Sequence, residues 1–114
     1  MAPILNSPRT FQVWLYTVSH AQLLLRANPT AEDGERIEVL FKAVESISLC
    51  TRLDGLRITE EVVDASANGA RRVFRLESGD ASGRIIAGAV FLHRDRESYH
   101  APSGFAESLA RSAS

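Results

Sequence analysis

The sequence predicts an all-β fold, an antiparallel sandwich or small barrel of about seven short strands. Three observations lead there. Aromatic and β-branched residues gather in short runs, which suits a pleated, half-buried surface. Breaker clusters of Gly, Pro, Asn and Asp interrupt those runs at a spacing of about 8–12 residues, the rhythm of sandwiches and barrels. Parallel strands would need crossover segments, usually helices, and the chain offers none between its strand runs.

Residues 11–18 (FQVWLYTV) form the densest such run. Residues 21–26 (AQLLLR) follow after only Ser19-His20, which suits an antiparallel reversal. Asn28-Pro29-Thr30 through Gly34 is a breaker cluster.

Residues 35–49 (ERIEVLFKAVESISL) carry two patterns. Ile37, Val39 and Phe41 alternate as in a strand, yet Ile37, Leu40, Phe41, Val44 and Ile47 also fit helical spacing. Thr30 and Asp33 even imitate a helix capping box. We read two strands, 35–41 and 44–49, joined at Lys42-Ala43, because the β-branched content is high and the neighbours are strands. A helix here would make the fold α+β, with one helix packed on a sheet.

Leu53-Asp54-Gly55 reads as a turn. In residues 56–63, Leu56, Ile58, Glu60 and Val62 share one side. An inward Glu60 is costly unless paired, so it is expected near a strand end or facing Arg72. Residues 64–70 form a loop. Residues 71–76 place Arg72, Phe74 and Leu76 on one face and Arg71, Val73 and Arg75 on the other. Gly79 to Gly83 (GDASG) makes a hairpin loop, and residues 84–94 are the longest strand candidate, with a bend or bulge expected at Gly88. Residues 11–18 and 84–94 lack a polar face, which predicts central strands or strands covered by a partner. Residues 1–9 read as a flexible arm, 10–94 as a single β domain, and 95–114 as a flexible tail in which 105–111 suit a short helical turn.

The 114 residues fit one domain of ordinary globular composition, 45% hydrophobic and 24% charged. A net charge of −1 removes the electrostatic case for generic nucleic-acid or anionic-membrane binding. The single cysteine, Cys50, rules out an internal disulfide. No secretory leader pattern opens the sequence, and no apolar run approaches the roughly 20 residues of a membrane helix, so a cytoplasmic location is expected. Of 13 basic residues only Lys42 is a lysine, and alanine is abundant, which reads as the codon bias of a high-GC bacterial genome.

Chemical motifs are scarce. Ser19-His20 are adjacent, so on a strand they would point to opposite faces, and a local turn hydrogen bond explains them. Cys50 next to Arg52 would gain thiolate character, against the ordinary reading of a small apolar filler. His20, His93 and His100 have no zinc spacing, neither glycine-rich phosphate-loop pattern is present, and no metal or cofactor is implied. Arg71, Arg72, Arg75 and Arg84 form the one basic concentration, most simply an ion-paired solvated face.

Phe11, Val13, Trp14, Tyr16, Val18, Ser19 and His20, with a following leucine-rich segment and Leu40 to Leu49, resemble a small bacterial protein family of actinobacterial type with an F-x-V-W-x-Y-x-V-S-H hairpin. The resemblance covers about the first half of the chain. It implies an all-β domain and carries no activity. Trp14 and Tyr16 would share a face, either as core packing or, if exposed, as an adhesive patch.

The expected function is a non-enzymatic protein–protein interaction or self-association domain, with a homodimer or a bacterial protein as partner. A small-ligand β barrel is the second reading. There the ligand would rest on Trp14 and Tyr16, with Arg26 or Arg75 holding an anionic group and Arg71 nearby. An enzyme using Cys50 is the third.

Overall fold

The computed structural model describes residues 3–61, 72–79, 81–98 and 101–105. Among the described residues, eight antiparallel strands form one sheet: β1 (Leu5–Thr17), β2 (Gln22–Ala27), β3 (Arg36–Lys42), β4 (Ser46–Ser48), β5 (Arg52–Glu61), β6 (Arg72–Ser78), β7 (Ala81–Ala87) and β8 (Ala89–Asp95). Their order across the sheet is β4-β7-β6-β5-β1-β2-β3-β8. The all-β expectation holds, and within residues 35–49 lie the strands β3 and β4 and no helix, so the α+β alternative falls. The Thr30–Asp33 pair that imitated a helix cap closes a turn instead. The Asp33 amide donates to Thr30 Oγ1 at 3.0 Å, and the Thr30 amide to the Asp33 carbonyl at 2.7 Å.

Alternation sorts the two faces. On β2 and β3, Leu23, Leu25, Ala27, Ile37, Val39 and Phe41 join the main core, with Phe11, Ile58, Phe74, Leu76 and Ile85. The sheet packs on itself to make this core: the Phe41 and Phe74 rings meet edge-to-face at 5.3 Å although β3 and β6 are far apart in sheet order.

The fold-over happens at one place. The expected long strand 84–94 breaks at Gly88, and β3 breaks from β4 at residues 43–45. Across the break, β3 pairs with β8 and β4 with β7. The Gly88 amide donates to the Lys42 carbonyl at 2.9 Å and the Glu45 amide to Ile86 at 2.7 Å, which holds the two bent runs together. Ala43 takes a positive φ of 55° at this corner. The sheet is not closed into a barrel. Its edges are β4 and β8.

Several boundaries differ from expectation. The first strand begins at Leu5, inside the stretch read as an arm, because Leu5 to Ser7 pair with β5. Pro8 does not break this ladder, since it sits where the register shifts between Ser7 and Thr10. Gly55 is not a turn between strands. It lies within β5 with φ 81°, facing that same irregular stretch. β1 is central as expected, but β8 is an edge, because the bend at Gly88 carries it away from β6.

Candidate functional site

The most concentrated chemistry lies on the outer face of β2, β3 and β8. Arg26 stands opposite Glu38 and Glu38 opposite His93, while Arg36 stands opposite Asp95. Pairing plus alternation therefore brings five ionisable side chains to one surface. Arg26 donates through Nε and Nη2 to Glu38 Oε2 at 3.2 and 2.9 Å. Arg36 grips both oxygens of Asp95 at 2.9 and 2.7 Å. That pairing holds the Asp95 carboxyl below its ordinary pKa and raises that of Arg36. His93 Nε2 sits 2.9 Å from Asp95 Oδ2.

Arg36 and Glu38 are buried, and the chain after β8 folds back over them. Arg36 donates to the carbonyls of Ser98, Ala101 and Pro102 at 3.0–3.3 Å. The Gly104 amide donates to Glu38 Oε1 at 2.7 Å, and Phe105 packs edge-on against His93. Glycine is required at 104, since a Cβ there would overlap the His93 imidazole. Residues 96–98 and 101–105 thus form a strap, where the sequence suggested a tail. Residues 106–111, the rest of the expected helical turn, lie outside the described residues.

Glu38, His93 and Asp95 each place a ligand atom within 4.8 Å of the others, the spacing of a metal site. Their donor chemistry argues otherwise. Every carboxylate oxygen already accepts from a guanidinium or an amide, and Arg26 and Arg36 balance Glu38 and Asp95 charge for charge. A dication would have to displace both arginines. The Asp95–His93 pair also resembles the orienting half of a nucleophilic triad, yet among the described residues no hydroxyl or thiol hydrogen-bonds His93. Cys50 is exposed between β4 and β5, not the buried filler that free cysteine usually becomes, and Arg52 pairs with Asp54 at 3.2 Å.

Of the described residues expected to bind a ligand, Trp14 and Arg26 meet, while Tyr16 and Arg75 lie elsewhere. Trp14 and Tyr16 are 39% and 42% exposed, and they do not share a face. The register shifts between Val13 and Leu15, so Trp14 is the extra residue of a bulge and turns outward. Its ring lies 4.3 Å from the Arg26 guanidinium, a cation–π contact. Tyr16 stands opposite core-facing Leu23, at the rim of the other face. Arg75 is exposed on β6, on the other half of the sheet, and Arg71 lies outside the described residues. The expected Glu60–Arg72 pair is present at 2.7 and 2.9 Å, and it lowers the Glu60 pKa.

Exposed apolar side chains gather instead on β1 and β8. Leu15, Leu24, Leu40 and Phe91 form one row across four strands of the outer face. Its middle members are fully buried, while Leu15 and Phe91 are 38% and 45% exposed. On the inner face Leu92 stands opposite Val39. Val39 is fully buried and Leu92 is 39% exposed, so Leu92 lies at the rim of the core, beyond Val90, which packs against it. The other edge, β4, is only three residues long.

No family model, curated protein or solved structure matches the chain. No helix among the described residues is long and apolar enough to cross a membrane.

Proposed function

We propose that the protein is a non-enzymatic interaction domain that self-associates by antiparallel pairing of β8 with β8 of a second copy. One observation carries this reading. β8 is an edge strand with Phe91 exposed on one face and Leu92 on the other. Native proteins blunt long edges with charge, proline or brevity, as short β4 does here. β8 is seven residues long and carries its charges only at one end, Arg94 and Asp95.

That asymmetry suits a second copy. A two-fold axis through Leu92 would overlap all seven residues. It would set Ala89 against Asp95, Val90 against Arg94, and Phe91 against His93 of the other copy. No like charges then face each other, and the two Leu92 side chains meet on the axis. The outer faces stay on the same side, with Phe91 packed on the His93 ring of the other copy.

Amide hydrogen exchange over a dilution series tests the reading. Residues 89–95 should gain protection as concentration rises, with β5 and β6 unchanged. Exchange at β8 independent of concentration, up to about 100-fold above the dilute limit, would argue against it.

A further inference from the structure

We propose that the outer face of β4, β7, β6 and β5 holds a site for a small, hydroxylated phosphate monoester, with Arg75 and Arg84 binding the phosphate. Arg75 stands directly opposite Arg84 in the β6–β7 register. Like charges so placed repel in the absence of an anion. Arg75 is exposed and makes no ion pair with any described residue. Arg84 meets Glu61 through Nη2 alone, at 3.2 and 3.3 Å, which leaves its other donors available among the described residues. Two guanidiniums facing one space provide the forked donors that a phosphate accepts.

The register supplies the remainder. Thr59, Arg75, Arg84 and Ser48 form one row across four strands. Ser82 lies on the same face as Arg84, two residues away. A groove of about 420 Å³ is lined by Ser48, Glu61, Arg75, Ser82, Gly83 and Arg84. Gly83 lets β4 approach closely, since a Cβ there would come within 2.5 Å of the Ser48 carbonyl oxygen. The groove exceeds a bare phosphate in size, and among the described residues its wall has no aliphatic or aromatic side chain. Ser48, Ser82 and Glu61 would receive hydroxyl groups, which favours a sugar phosphate over an apolar ester.

The test is an amide chemical-shift titration of the full chain with inorganic phosphate and with ribose 5-phosphate, against sodium chloride at equal ionic strength. Both phosphates should give saturable shifts around residues 75–77 and 82–85, with ribose 5-phosphate the tighter. Arg75→Gln and Arg84→Gln should each weaken binding by about tenfold or more, the scale of a charge-assisted contact. Arg57→Gln, an exposed position on the same face outside the groove, should leave binding unchanged. Circular dichroism would show that all three variants fold, and exchange at β8 would be as in the parent, since β8 is at the far end of the sheet order. Shifts no larger than with chloride, or equal losses in all three variants, would overturn the site. Ribose 5-phosphate binding no tighter than phosphate would overturn the monoester assignment.

Discussion

The Arg36 guanidinium holds both Asp95 oxygens across β3 and β8 and, on its other side, three carbonyls of the strap. One buried side chain therefore ties the sheet edge to the segment that follows it. Arg36→Met should release the strap while leaving Asp95 without its main partner. The expected cost is about 3–5 kcal/mol, the usual result of breaking one side of a buried ion pair. Urea unfolding would measure it, and limited proteolysis should show new cleavage within residues 96–105.

Arg26 and Glu38 form the neighbouring buried pair, 3% and 0% exposed. Glu38→Leu alone should destabilise the protein by a few kcal/mol, about 3 or more, because the Arg26 charge stays buried. Combining it with Arg26→Met should recover most of that loss. A double variant no more stable than Glu38→Leu would contradict the account.

The depressed pKa of Asp95 has a definite pH consequence. Its chief cause is the hydrogen bond from Arg36. A carboxyl whose folded pKa is lowered contributes stability in full above its unfolded pKa, near 3.9, and loses it as pH falls through the folded value. Glu60, lowered by Arg72, acts in the same direction. Urea midpoints should therefore fall below about pH 4, and Asp95→Asn should flatten that fall. An equally steep acid limb in Asp95→Asn would count against Asp95 as a source.

Gly104 lies against the His93 ring with no space for a side chain. Gly104→Ala should lift the strap, with a cost of about 1–3 kcal/mol from the overlap. The His93 and Phe105 ring resonances should lose their mutual shielding. Gly79→Ala, in open space but at φ 56°, should cost only about 1–2 kcal/mol through backbone strain and leave those resonances alone.

Much of the fold follows from alternation. Leu56, Ile58, Phe74 and Leu76 face the core as their spacing requires, and Glu60 meets Arg72 because both fall on that face near strand ends. Gly88 marked the bend. Other features depend on contacts between distant residues. Trp14 and Tyr16 part company through a bulge set by the β1–β2 register, which no local pattern reveals. Arg26, Arg36 and Glu38 alternate with the core residues of β2 and β3 and so share the outer face. Arg36 and Glu38 are covered because residues 101–104 return over them, a closure made by Arg36 across more than 60 positions, and Arg26 lies against Trp14. The alternation of Arg36 and Glu38, with Asp95 at the end of an apolar run, was the available signal. The exposure of Phe91 and Leu92 depends on β8 being an edge, which strand order alone decides.

Sedimentation velocity on Leu92 charge variants tests the central claim most directly. Leu92 would lie on the two-fold axis, so Leu92→Lys and Leu92→Glu each set like charges against themselves. The parent protein should sediment as a concentration-dependent dimer, each variant alone as a monomer, and an equimolar mixture of the two as a dimer again. A parent that remains monomeric at about 100 μM, two orders above a micromolar dissociation constant, would contradict the account. So would single variants that dimerise as well as the parent.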